Sequence, residues 1–143
     1  MKNVQKVTLD THTLIWYFHK NSNEKLSVDA LRVIKEAEAR GIIYIPTVVL
    51  MEIMRLLEKK RYPVSFDAVL EYIEGNESYK IVPLTTKIVR NIRDFQNVDL
   101  HDRVIMATAL ITGSVLVSKD KEVKAPGLNV IWSHQKNNLS RDA

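Results

Sequence analysis

Five acidic residues stand where the chain could do chemistry. Asp10 closes the apolar run Val7-Thr8-Leu9, and Thr11-His12 follow at once. Glu52 lies inside Val48-Val49-Leu50-Met51-Glu52-Ile53-Met54, a costly setting for a charge without a partner. Asp99 and Asp102 flank Leu100-His101, and Asp120 ends Leu116-Val117-Ser118-Lys119-Asp120. Carboxylates that converge repel one another and raise each other's pKa unless a cation neutralises them. The chain has no cysteine and only four histidines, so oxygen donors dominate. Such donors suit a hard ion, Mg²⁺ or Mn²⁺. A bound ion of that kind activates water beside a phosphate, which is the chemistry of phosphodiester hydrolysis.

Each acid also has a plainer use. Asp10 can cap the helix that begins at Thr11. Glu52 can pair with Arg55 one turn on. Asp99 and Asp102 have the spacing of an N-cap and an N3 residue, and acids suit a helix N-terminus. Asp120, between Lys119 and Lys121, can belong to an ordinary polar turn, and Glu122 reads as solvated. The choice depends on whether the elements bring these residues together.

Short runs rich in β-branched and apolar residues predict strands over 4–9, 42–45, 80–84, 114–118 and 128–132. Helical patterns predict helices over 11–19, 28–40, 48–60, 66–73, 85–95 and 103–112, the last opened by residues 99–102. Ser27, Thr47 and Ser65 are expected N-caps, residues 20–25 a polar loop, and Gly41 a C′ residue with positive φ. Strands interleaved with helices predict an α/β fold: a three-layer α/β/α sandwich around a mainly parallel five-stranded sheet. Ligands of such sheets bind outside the carboxyl ends of the strands. Helices returning to a strand's start also begin at that edge. All five acids are therefore expected at one edge.

The remaining features set bounds. At 143 residues, with 45% hydrophobic and 27% charged residues, the chain fits one compact domain. No internal repeat or low-complexity linker is present. Residues 1–132 are expected to form the domain and 133–143 a polar tail. No apolar run reaches the roughly 18–20 residues of a membrane span, and the first residues lack the apolar core of a secretory signal. A cytoplasmic location is expected. Lys and Arg number 21 against 17 Asp and Glu, a net charge of +4. That balance is compatible with a polyanionic partner and weak as evidence for one.

The stretches Leu9-Asp10-Thr11-His12-Thr13-Leu14-Ile15-Trp16, Pro46-Thr47-Val48-Val49-Leu50-Met51-Glu52-Ile53, Asp99-Leu100-His101-Asp102-Arg103-Val104-Ile105-Met106-Ala107-Thr108-Ala109 and Leu116-Val117-Ser118-Lys119-Asp120 occur in the order found in PIN domains. The sequence resembles that family, and within it the VapC-type toxins of toxin–antitoxin pairs, over residues 4–132. The resemblance implies a metal-dependent ribonuclease with Asp10, Glu52, Asp102 and Asp120 as its acidic quartet. Asp10, Asp102 and Asp120 would hold Mg²⁺ or Mn²⁺, and Glu52 would orient or deprotonate the attacking water. Asp99, Thr11 and Ser118 match secondary positions. Arg103, Lys119 and Lys121 stand close enough in sequence to steer RNA, although solvation or pairing with neighbouring acids is the favoured explanation. The resemblance further implies a homodimer inhibited by an antitoxin that covers the site. Leu100 replaces a proline common in relatives, and Ser118 a threonine; neither change removes an acid.

Other classes fit less well. A hydrolase with an aspartyl nucleophile would want a second Asp two residues after the first, where His12 stands. A phospho-receiver domain would want adjacent acids after the first strand. A non-toxin PIN nuclease of RNA processing remains open. So does a catalytically silent RNA-binding or scaffold domain, although the latter would have no need of four acids.

Overall fold

The computed structural model describes residues 5–132, so the expected polar tail at 133–143 lies outside the described residues. Five strands, β1 (Lys6–Leu9), β2 (Ile42–Pro46), β3 (Tyr79–Val82), β4 (Val115–Val117) and β5 (Val130–Ile131), form one sheet in the order β3-β2-β1-β4-β5. Every neighbouring pair is parallel, with Thr8 of β1 in register with Tyr44 of β2 and Leu116 of β4. Val7, Thr8 and Leu9 are all completely buried. Successive strand residues point to opposite faces, so β1 is covered on both sides, as a parallel sheet requires.

Among the described residues six α-helices flank the sheet: α1 (Thr11–Phe18), α2 (Val28–Arg40), α3 (Thr47–Glu58), α4 (Phe66–Glu74), α5 (Thr86–Ile92) and α6 (Leu100–Thr112). Ser27 Oγ, Ser65 Oγ and Thr85 Oγ1 accept bonds from the amides of Ala30, Ala68 and Ile88, capping α2, α4 and α5. Leu9, Leu14, Ile34, Ile43, Ile45, Ile53, Ile105, Met106 and Leu116 are fully buried in the main core. Each such side chain contributes about 1.5–3 kcal/mol by leaving water. A smaller cluster of Ile88, Val104 and Ala107 binds α5 to α6 and fixes the first turns of α6. No helix among the described residues is long and apolar enough to cross a membrane.

Several local expectations need correction. Residues 20–25 form a 3₁₀ helix rather than a loop, and Asn23 Nδ2 braces it by donating to the carbonyls of Trp16 and Tyr17. Thr47 does not cap α3; it is the first helical residue, and Pro46 stands at the N-cap position with no side-chain bond. Gly41 has φ −135° rather than a positive φ. Its requirement is space: a Cβ there would collide with the carbonyl oxygen of Gln5, which accepts the Ile42 amide at 2.9 Å. β3 stops at Val82 because Pro83 has no N–H to continue a ladder. Gly113, by contrast, ends α6 in the left-handed region at φ +66°.

Glu38 forms an unforeseen anchor on α2. Its Oε1 accepts from Tyr17 at 2.7 Å, and its Oε2 accepts from Tyr72 at 2.6 Å and Tyr79 at 2.8 Å. One carboxylate thus ties α1, α2, α4 and β3 together. Burial works to raise its pKa, but the bonds from Tyr72, Tyr17 and Tyr79, with Lys35 nearby, hold it below the usual carboxylate range. Burial and the adjoining carboxylate push the Tyr17 and Tyr79 phenols up.

Candidate active site

Asp10 is the first residue beyond β1. Its Oδ1 accepts the Thr13 amide at 3.0 Å, so it does cap α1. Capping and a second role are compatible, because the cap engages one carboxylate oxygen. Thr13 Oγ1 donates to the Val117 carbonyl at 3.2 Å in a buried setting, pinning the first turn of α1 to the end of β4. Asp10 is thereby held beside the segment that carries Ser118 and Asp120.

Thr11 Oγ1 reaches across to α3 and donates to Glu52 Oε1 at 3.0 Å. Arg55 approaches Oε2 at 3.7 Å, the expected partner one turn on, but its side chain is 62% exposed, so that pair contributes little. On the other side His101 Nε2 lies 3.4 Å from Glu52 Oε1 and 3.6 Å from Asp102 Oδ1. The imidazole links the acid of α3 to the acid of α6.

Asp102 reports the electrostatics of the whole group. Burial is the main cause that raises its carboxyl above the usual range; His101 opposes the rise, and Asp120, Asp10 and Asp99 add to it. Four acids from three regions of sequence therefore share one electrostatic neighbourhood. Asp99 stands at the N-cap position of α6 but makes no capping bond, so the capping-box expectation fails and its carboxylate acts on Asp102 instead. Ser118 Oγ accepts the Asp120 amide at 3.1 Å, and Asp120 Oδ1 accepts the Glu122 amide at 2.9 Å. Ser118 shapes this turn; it does not bond a carboxylate.

A PIN domain model matches residues 7–127. The chain belongs to the PIN domain family. Solved structures with the same fold include VapBC2 from Rickettsia felis bound to a promoter DNA fragment, at 16% identity and a TM-score of 0.68 over 89% of this chain and 98% of that one. DNA-bound VapBC from Salmonella typhimurium matches at 21% identity and a TM-score of 0.64, over 91% and 100% of the two chains. A toxin–antitoxin complex from Klebsiella pneumoniae matches at 20% identity and 0.57, over 87% and 95%. No curated protein matches the sequence. Membership of the PIN domain family supports a hydrolase acting on nucleic acids.

The PIN domain's acids gather charge without yet gathering ligands. Among the described residues, no three carboxylate or imidazole groups stand close enough to hold a metal ion. The donor chemistry nevertheless fits a hard divalent cation: the site offers the oxygens of Asp10, Asp102 and Asp120, and the charged form of Asp102 is disfavoured by burial first and then by its acidic neighbours. Of the basic candidates, Arg103 is engaged elsewhere, donating from Nε to the Val98 carbonyl at 2.9 Å. Lys119 holds its Nζ 5.9 Å over the Trp16 ring. Lys121 lines a cavity of about 410 Å³ with Ser118, Asp120 and Trp132. A larger cavity of about 530 Å³ opens between α5 and α6, among Phe95, Val98, Met106, Leu110 and Ile111, and none of the quartet lines it. His101 is the residue that sequence reasoning missed. Its only signal was its place next to Asp102 in the first turn of α6.

Proposed function

We propose that this PIN domain is a Mg²⁺- or Mn²⁺-dependent endoribonuclease, the toxin of a toxin–antitoxin pair. One observation carries the reading. Asp102, half-buried, has Asp120, Asp10 and Asp99 as charged neighbours at the carboxyl edge of the sheet. Such an arrangement is unfavourable without a cation and useful with one. The VapBC structures that share the fold support the toxin assignment.

In this reading Asp10, Asp102 and Asp120 hold the cation, with Asp99 at the rim. When bound, the cation supplies positive charge opposite the phosphate and makes water a better nucleophile. Glu52 orients the attacking water and accepts its proton. Thr11 and His101 fix the Glu52 carboxylate, and Ser118 sets the turn that presents Asp120. The chain acts in the cytoplasm as a homodimer, and an antitoxin restrains it by covering the acids. Residues 1–132 constitute the single nuclease domain.

Induced expression in a bacterial host tests this. Wild type is expected to arrest growth and the Asp10→Asn variant to be harmless; toxicity from both, or from neither, refutes the toxin reading. Purified protein should cut single-stranded RNA with Mg²⁺ or Mn²⁺ and stop when the ion is chelated. RNA binding without cleavage under any of these conditions would favour the silent RNA-binding domain instead.

A further inference from the structure

One side of the site is aromatic and basic rather than acidic. His12 is exposed two residues beyond Asp10, and its ring stands 5.5 Å from that of Trp16. Trp16 is half-buried and meets Trp132 at 6.1 Å. The three rings form a row that begins beside Asp10 and ends in the wall of the cavity that Ser118, Asp120, Lys121 and Lys124 also line. Two exposed lysines from distant segments, Lys25 and Lys119, each hold Nζ 5.9 Å from the Trp16 ring centre. Trp16 Nε1 is the one buried side-chain polar atom without a hydrogen-bond partner among the described residues.

Folding alone does not explain this arrangement. The turn after β1 is already held by the Asp10 cap and the Thr13 bond to Val117, so it has no need of an exposed imidazole. Ammonium groups near 6 Å from a ring are at the outer reach of cation–π attraction, so both remain available to a stronger partner. Aromatic faces flanked by cations are what an unpaired base and its phosphates require.

We propose that His12, Trp16, Lys25 and Lys119 form a subsite for one unpaired base and its adjoining phosphates, beside the acidic centre. This rests on the nuclease reading and adds to it the side chains that receive one base and its phosphates, since a base in a duplex cannot stack on these rings. Lys119, between Ser118 and Asp120 in sequence, joins the subsite to the acids.

The test uses the full chain carrying Asp10→Asn, so that RNA is bound and not cut. Binding is measured for an oligoribonucleotide of about ten residues, in three forms: single-stranded, fully duplexed, and single-stranded with abasic riboses. Tryptophan fluorescence serves as the second readout. The single strand should quench the fluorescence and bind about 5- to 150-fold tighter than the abasic strand, the range expected of one stacked base. Adding His12→Ala, at an exposed position, should weaken the intact strand and leave the abasic strand unchanged. Adding Lys25→Ala or Lys119→Ala should weaken both and reduce the salt slope by about 0.7 each. Equal binding of intact and abasic strands, or of intact strand by the His12→Ala variant and its parent, overturns the subsite. A cleavage assay separates this from the nuclease reading. With Asp10 restored, His12→Ala should lower kcat/KM on single-stranded RNA; unchanged cleavage sinks the subsite alone, whereas a wild type that cuts no RNA sinks the nuclease reading.

Discussion

Asp10 holds two roles that substitution can separate. Its Oδ1 caps α1 through the Thr13 amide, and its charge raises the Asp102 carboxyl. Asparagine caps as well as aspartate, whereas alanine in place of a cap costs about 1 kcal/mol. Without divalent ions, Asp10→Asn should therefore unfold at or slightly above the wild-type temperature, since it relieves repulsion. Asp10→Ala should unfold lower by about 4 °C, taking about 4 °C per kcal/mol for a chain of this size. Adding the cation reverses the order. At about ten times its dissociation constant, a ligand bound only by the folded state adds about 1.4 kcal/mol, or about 6 °C for wild type. Asp10→Asn should lose most of that gain and its RNA cleavage with it. The assay is thermal unfolding with Mg²⁺ or with chelator, paired with an RNA cleavage time course. If asparagine destabilises as much as alanine in chelator, the capping argument fails. If Mg²⁺ lifts Asp10→Asn as far as wild type, the cation does not depend on Asp10.

Asp102 has a raised carboxyl pKa, from burial first and then from Asp120, Asp10 and Asp99 against His101. The folded state then holds the proton more tightly than the unfolded state, and stability falls as pH rises from the ordinary carboxylate range through the raised value. Asp102→Asn should exceed wild type in urea resistance at pH 7 in chelator, with the gap closing below about pH 4; the opposite order would remove the electrostatic argument. Glu38 has the reverse sign, its pKa being lowered by the three phenols despite burial. Its contribution is present above the ordinary carboxylate range and lost as pH falls through the lowered value, so Glu38→Gln should cost about 1–2 kcal/mol at pH 7 and less in acid, read from urea midpoints. Gly41→Ala should cost about 3 kcal/mol, because the added Cβ meets the Gln5 backbone rather than a side chain that can turn away; a wild-type urea midpoint would refute the close contact.

The layout of the fold was legible because parallel strands buried on both faces leave unbroken apolar runs, and because Ser27 and Ser65 cap by local bonds. That Asp10 and Asp120 act electrostatically on Asp102 was legible from topology, since strand ends and helix starts share an edge. Contacts between distant segments were not legible. The phenols of Tyr17, Tyr72 and Tyr79 meet Glu38 only after four elements have packed, and nothing in their spacing marks them. Asp99 had the right type and spacing for a capping box, yet local geometry left it unbonded while its charge acts on Asp102. Gly41 was recognised as required, but the reason was a neighbouring strand and not its own φ. His101 passed unnoticed because its partner Glu52 lies 49 positions earlier in the chain (101 − 52).

The central place of β1 has a consequence for synthesis. β1 precedes the other four described strands in the chain, yet it is flanked by β2 on one side and β4 on the other. A nascent chain that has emerged only to Gly113 therefore leaves one edge of β1 open, and it has not yet delivered Asp120. An interrupted product carries Asp10, Glu52 and Asp102 without the strand that gathers the fourth acid to them. The acidic cluster is therefore incomplete until Asp120 has been made, well after the segment that carries Asp10, Glu52 and Asp102.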